Sequence, residues 1–308
     1  MARGKKNKKN GIKSNTVIGI IAAFIIAAAA YFSKDVINLI EGDIDLTGKF
    51  AVHFLDIGQG DAILIQNPEN EFMLIDTGDR DKDIKLMQYL ENYNVKNFKY
   101  AIFTHPHADH IGSADKIVKN YGIETLIMPK AVNTSQTFLR LVEEIENKNL
   151  EITQPNPGQS FKFGSAEFII LAPNSEQYEN LNNYSIALKM KYGGFSFLFT
   201  GDMEKEAENE VIGFCEKNNI SLTADVLKIG HHGSSTSTQK SFLDLVSPSV
   251  SVIMCGEGND YGHPTIQTLN RLEQSGSKIF RTDIDGDIIA IVYEGNLSVK
   301  KSKEDPFN

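Results

Sequence analysis

The chain has 308 residues, 41% of them hydrophobic, enough to bury a sizeable core in one large domain or two small ones. Its formal charge of −9 is uneven. The first 32 residues hold Arg3, Lys5, Lys6, Lys8, Lys9 and Lys13 and no acid, which leaves 25 basic against 40 acidic side chains, about −15, for the rest. A surface that acidic excludes a general pull on phosphate backbones, so any nucleic-acid contact needs a local basic patch or bound metal ions.

Residues 1–15 read as a basic tail rich in Asn and Gly. Thr16 to Phe32 is then almost wholly apolar, at the short end for a helix crossing roughly 30 Å of hydrocarbon. The flanking charges place the N-terminus in the cytoplasm and the rest outside. A single transmembrane anchor over 16–32 is therefore expected. A cleaved signal ending near Ala27–Ala30 is the rival reading, and a buried core helix a weaker third. A polar linker over 33–48 precedes one folded domain over 49–297, with a tail over 298–308.

Within the domain, short β-rich runs alternate with helical stretches. Ala51–Asp56, Ala62–Gln66 and Phe72–Ile75 read as strands separated by Gly58-Gln59-Gly60 and Asn67-Pro68. A helix over Ile84–Tyr93, a strand over Tyr100–Thr104 and a helix over Ser113–Tyr121 follow, then a strand at Thr125–Met128 and a helix over Ser135–Asn147. Strands are expected at Phe161–Phe163 and Glu167–Leu171, and Gly193-Gly194 turns a hairpin of Ile186–Tyr192 and Phe195–Phe199. Met203–Glu216, Gln239–Val246 and Thr265–Gln274 read as helices between strands at Val226–Ile229, Val250–Met254, Ile279–Arg281 and Ile288–Tyr293. This texture implies two sheets with helices on their outer faces. Cys215 and Cys255 lack a zinc-motif spacing, and buried free thiols are expected over a disulfide.

Thr104-His105-Pro106-His107-Ala108-Asp109-His110 places three imidazoles and a carboxylate directly after a strand. Neutral imidazole and carboxylate are the donors that Zn²⁺ or Mn²⁺ takes, and histidines clustered without a cation would cost stability. Asp202 follows the Phe195–Phe199 strand, His231 and His232 follow Val226–Ile229, and His263 precedes a helix. Each lies where a strand gives way to a loop, and together they supply about six ligands with one bridging carboxylate, the need of a two-metal site.

The run His105-x-His107-x-Asp109-His110 resembles the signature of the metallo-β-lactamase superfamily, as do Leu74-Ile75-Asp76-Thr77-Gly78 and Thr200-Gly201-Asp202. One branch fits best. Val52 to Ala62, Lys228 to Ser234, Asn259 to Pro264 and Arg281-Thr282-Asp283 are similar to motifs of the hydrolase domain of ComEC-like competence proteins. The resemblance implies a four-layer αββα sandwich. It also implies two divalent ions, Zn²⁺ first and Mn²⁺ second. His105 and His107 would hold one ion, Asp109, His110 and His231 the other, and Asp202 would bridge them. Many members carry a further histidine where this chain has Asn182-Asn183-Tyr184-Ser185, so the first position is left with three protein ligands.

Asp109 is expected to orient the attacking water, and His263 to donate to a phosphate oxygen or protonate a leaving group. Asp61 and Asp76 are candidates for hydrogen bonds to ligand imidazoles; His232, beside the ligands, could act as His263 does or simply pack. The function implied is phosphodiester cleavage outside the membrane, on DNA as in ComEC-like domains, by an anchored stand-alone hydrolase. An envelope phosphodiesterase of the phosphorylcholine-esterase type is the alternative. A lactamase or thioester hydrolase, and a non-catalytic binding module with a degenerate site, rank lower. The membrane and a phosphodiester substrate are the expected partners, with no obligate protein partner.

Overall fold

The computed structural model describes residues 44–303. The basic tail, the apolar segment 16–32 and most of the linker lie outside them. Among the described residues no helix is long and apolar enough to cross a membrane. The compact unit that carries the site begins at Leu46, which packs with Ala51, Ile289 and Ile291 inside what the sequence reads as linker.

Among the described residues, fifteen strands form two sheets. The first uses β1 (Phe50–Phe54), β2 (Ile63–Gln66), β3 (Phe72–Ile75), β4 (Asn97–Ile102), β5 (Gly122–Ile127) and β6 (Ile152–Thr153). The second uses β7 (Ser160–Phe163), β8 (Ala166–Ala172), β9 (Ala187–Tyr192), β10 (Phe195–Phe199), β11 (Val226–Lys228), β12 (Val250–Ile253) and β13 (Lys278–Arg281). The chain then returns to the first sheet with β14 (Ile288–Tyr293) and β15 (Asn296–Lys301), giving the orders β15-β14-β1-β2-β3-β4-β5-β6 and β13-β12-β11-β10-β9-β8-β7.

Period-2 alternation assigns the faces. Phe50, Val52 and Phe54 of β1 meet Phe163, Phe197 and Phe199 of the second sheet, while Ala51 faces the other way. The rings of Phe50 and Phe163, and of Phe54 and Phe199, each lie 6.4 Å apart across this layer. Each fully buried Phe contributes about 1.5–3 kcal/mol by leaving water.

Helices α1 (Asp83–Asn92), α2 (Ala108–Ile111), α3 (Ala114–Asn120) and α4 (Gln136–Asn147) belong to the first half. Leu86, Leu90 and Ile117 pack on Leu64 and Leu74, and Val118, Leu141 and Ile145 on Ala101 and Phe103. Helices α5 (Lys205–Asn218), α6 (Lys240–Val246), α7 (Ile266–Ser275) and α8 (Thr282–Asp285) belong to the second half. There Val211, Phe242, Val246 and Leu272 cover Leu198, Leu227 and Ile253. Ser135 caps α4 by accepting from Phe138 N at 3.2 Å, and Cys215 and Cys255 are buried free thiols as expected.

Two strands were not legible. β6 has only two residues. β15 pairs with β14 from Tyr293↔Asn296 to Ile288↔Lys301, so the domain runs past residue 297 into the supposed tail. Only Leu297 and Val299 alternate there, among lysines, too sparse a pattern to read as a strand. β3 to β6 run parallel, as do β10 to β13. Loops at the carboxyl ends of such strands are where α/β sheets gather their ligands.

Candidate metal centre

The ends of β3 and β4 are tied together by Asp76. Its carboxylate accepts from Thr104 N at 2.7 Å, Thr104 Oγ1 at 2.6 Å and His110 Nδ1 at 2.8 Å. Asp76 sits in the left-handed region (φ 58°), which turns its carboxylate back over the strand ends. His105 is buried, with Nδ1 3.3 Å from Ser185 Oγ, and its Nε2 faces His107 Nδ1 at 3.0 Å. Asp109 and His110 stand on the single turn α2, where the sequence suggested a loop. Gly60 lies against that turn. A Cβ there would meet Asp109 O at 2.2 Å, and Asp61 N donates to the same oxygen at 3.1 Å.

One atom gathers the rest. Asp202 Oδ2 lies 3.2 Å from His110 Nε2, 3.4 Å from His232 Nε2, 3.8 Å from His231 Nε2 and 4.0 Å from His105 Nε2. Donor atoms of Asp109, His110, Asp202 and His232 all fall within 4.8 Å of one another. His105 and His107 meet each other and reach this group through Asp202. Two ring nitrogens face one another, and buried His110 Nε2 lacks a hydrogen-bond partner. Facing ring nitrogens and a buried nitrogen without a hydrogen-bond partner suit a divalent cation, which would displace their protons.

His231 and His232 differ from expectation. The sequence reading puts His231 beside Asp109 and His110. That place is taken by His232, whose Nε2 is 3.2 Å from Asp109 Oδ2 and whose Nδ1 lies 2.9 Å from Met254 O. His231 stays near Asp202, but its Nδ1 faces Glu204 Oε1 at 3.2 Å and its side chain is 22% exposed. Both residues have left-handed backbone (φ 49° and 54°), a sharp turn that points neighbouring rings to the same cluster. The turn, not the residue types, decides which imidazole meets Asp109. The seventh histidine, His53, faces Tyr89 OH at 2.9 Å and takes no part.

Against burial, Asp202 and the neighbouring carboxylates raise His110 and His232 well above the ordinary histidine range, so a bound cation would displace their protons. Burial first, then the neighbouring His110, holds His105 well below the ordinary histidine range, so it is neutral, with one ring lone pair to offer. Burial opposes ionisation of Asp202, but His110 and His232 outweigh it and keep the carboxyl well below its usual range. Asp61 is likewise held low against burial, chiefly by Lys228. Lys228 is buried and touches Asp61 Oδ2, donates to Gly201 O at 2.9 Å and stands 3.7 Å from Asp202 Oδ1. In the sequence Lys228 opens the run Lys228 to Ser234 and carries no assigned role. A lysine inside the apolar run Val226–Ile229 was the available signal, since a buried lysine must be paired.

The cluster floors a cavity of about 320 Å³ rimmed by Gln59, Asp79, Asn182, Tyr261 and His263. His263 lies 5.3 Å from the His231 ring, and burial, then repulsion from His231 and His232, brings its pKa down to about 4. It is therefore neutral at pH 7, with one N–H to donate. A larger cavity of about 430 Å³ beside β7–β9 gathers no His, Cys or Asp. Arg281-Thr282-Asp283 proves structural, with Thr282 Oγ1 bonded to Cys255 N and O at 2.9 and 3.0 Å.

The family model described as Metallo-beta-lactamase superfamily matches residues 55–257, which span the histidine loop, Asp202 and both His231 and His232. The chain belongs to the metallo-β-lactamase superfamily. It is a metal-dependent hydrolase by fold and by donor set. ComE operon protein 3 of Bacillus subtilis is 31% identical over 265 residues, covering 80% of this chain and 33% of that protein. Recombination protein 2 of Haemophilus influenzae is 29% identical over 257 residues, 82% of this chain and 30% of the relative. Competence protein ComA of Neisseria gonorrhoeae is 28% identical over 260 residues, 82% and 33% respectively. These relatives are ComEC-like competence proteins, and this chain spans about a third of their length. Among solved structures, the metallo-β-lactamase fold protein YhfI of Bacillus subtilis superposes with TM-score 0.53 at 12% identity, over 79% of this chain and all of that one. CmlA of Streptomyces venezuelae, a diiron β-hydroxylase, gives 0.51 at 13% identity, over 79% of this chain and 54% of its own. Both support the fold alone.

Proposed function

We propose that this protein holds two divalent ions, Zn²⁺ or Mn²⁺, and cleaves phosphodiester bonds of DNA outside a membrane to which residues 16–32 anchor it. The observation that carries this reading is Asp202 Oδ2, one carboxylate oxygen within 4.0 Å of four imidazoles. A carboxylate oxygen so surrounded favours a bridging role between two cations. The names of the competence relatives favour DNA among phosphodiesters. The polar rim of Gln59 and Asn182 suits a phosphate better than an apolar acyl chain. The anchor rests on the six basic residues before Thr16 and the apolar run behind them.

Ions bound here would supply a hydroxide nucleophile at neutral pH and neutralise charge on the phosphoryl group. The chain's own groups set the geometry. Asp109, its side chain 26% exposed, reaches the cavity while fixed to His232, and so orients the nucleophile. Neutral His263 offers an N–H to a phosphate oxygen. Gln59 and Asn182 bring amide donors to the same opening. Cations held by these residues would also offset the domain's acidity toward a polyanion.

The test is to incubate the metal-loaded protein with linear DNA, RNA, bis(p-nitrophenyl) phosphate and envelope polymers. Cleavage of DNA, lost with EDTA and in His107→Ala and Asp202→Ala, is expected. Inertness toward every nucleic acid refutes the nuclease reading.

A further inference from the structure

The Asn182–Ser185 loop provides no imidazole, which leaves His105, His107 and Asp202 as the donors anticipated for the first metal position. The structure brings another one close. His231 Nε2 lies 3.8 Å from Asp202 Oδ2, the oxygen that His105 Nε2 approaches at 4.0 Å. His232 already stands beside Asp109 and His110 in the tight group with Asp202, and His231 lies outside that group.

The other ring nitrogen decides what His231 can do. Its Nδ1 faces Glu204 Oε1 at 3.2 Å. A carboxylate on one nitrogen holds the proton there and leaves the opposite lone pair free, which is how metal-ligating histidines are oriented. Glu204 is fixed in turn by the loop that lacks a histidine. Asn182 Nδ2 donates to its Oε1 at 3.1 Å, and its backbone N donates to Asn183 Oδ1 at 3.0 Å. Asn183 also donates to Glu206 at 2.8 Å, clamping the loop to the start of α5. The asparagines thus build the support for an imidazole that arrives from a different strand.

We propose that His231, oriented by Glu204, is the third imidazole of the first metal position, replacing the histidine that the Asn182–Ser185 loop lacks. The proposal rests on the two-ion reading above. Glu204 is a positioning residue, acting through His231.

The experiment titrates the metal-free full chain with Zn²⁺ alone, by calorimetry, and counts bound ions by native mass spectrometry. His107→Ala marks the step of the first position and Asp109→Asn that of the second. The wild type should bind two ions. His231→Ala should weaken or abolish the step that His107→Ala affects and spare the other. Glu204→Gln should weaken the same step roughly 10–100-fold, and it carries the test alone if His231→Ala does not fold. Weakening of the Asp109 step, or of neither step, overturns the proposal. A wild type that binds a single ion instead sinks the two-ion reading, and this one with it.

Discussion

The Lys228 ammonium stands 3.7 Å from Asp202 Oδ1, the oxygen of that carboxylate other than the one facing the imidazoles. Burial disfavours the charge on Lys228, but Asp61 and Asp202 outweigh it and raise its pKa. The lysine therefore reserves Oδ2 for the cluster and neutralises Asp61. Lys228→Met strips both acids of their buried partner. Removing one member of a buried pair costs about 3–5 kcal/mol, which lowers Tm by on the order of 10 °C in a domain of this size. Thermal unfolding of the metal-free protein checks it, and an unchanged Tm denies the clamp.

Gly60 sets the approach of the Gln59–Asp61 turn to α2. Its φ of +128° favours glycine, and an added Cβ would fall 2.2 Å from Asp109 O, a backbone atom that cannot swing aside. Gly60→Ala should shift Asp109 and lower turnover of bis(p-nitrophenyl) phosphate by on the order of 100-fold, while far-UV circular dichroism stays unchanged. Gly295→Ala is the control, since its φ is +73° but nothing lies within 4 Å of the new Cβ. Equal losses in both variants would mean that backbone strain, not the contact with Asp109, is responsible.

Much of this centre was legible because its chemistry demands unusual residues in a short span. Three histidines and an aspartate after one strand have few other uses, and the runs at Phe72–Ile75 and Ile288–Tyr293 coincide with β3 and β14. What could not be read depends on the backbone or on distant partners. The left-handed turn at His231 and His232 exchanges the places anticipated for them, and two consecutive non-glycine residues give no warning of φ above zero. Glu204 is one of several acids at the start of α5, a common pattern at helix N-termini, so nothing marked it as facing an imidazole. β15 was hidden by lysines on its exposed positions. The apolar segment 16–32 remains a pattern in the sequence, outside the described residues.

Glu208 gives a pH signature independent of the metal cluster. It is buried and accepts from the backbone N–H of Thr238 and Gln239, yet burial pushes its pKa up from 4.5 to about 7. A folded-state pKa above the unfolded one means stability that is full below pH 4.5 and lost as pH rises through 7. That shift corresponds to on the order of 3 kcal/mol across the window. In Glu208→Gln the amide nitrogen meets one of the two N–H donors, so the variant is less stable overall, but this part of the slope disappears. Urea unfolding at intervals between pH 4.5 and 8 should show a flatter profile for the variant, and parallel profiles would show that Glu208 does not titrate there.

Asp76 fixes the proton of His110. Its Oδ2 accepts from Thr104 Oγ1 at 2.6 Å and faces His110 Nδ1 at 2.8 Å, so that ring carries a hydrogen on Nδ1 and turns Nε2, the nitrogen a cation would take, toward the cluster. In Asp76→Asn an amide nitrogen or a single shared oxygen must face both donors. The imidazole then gains by moving its hydrogen to Nε2, which points at Asp202 and closes the lone pair a cation needs. Zn²⁺ affinity measured by chelator competition should fall roughly 10–100-fold, with the fold retained because the strand pairing is untouched. Asp76→Glu, which keeps the charge but not the reach, should recover only part of it. An affinity equal to the wild type in Asp76→Asn would show that His110 takes its tautomer from the cation alone.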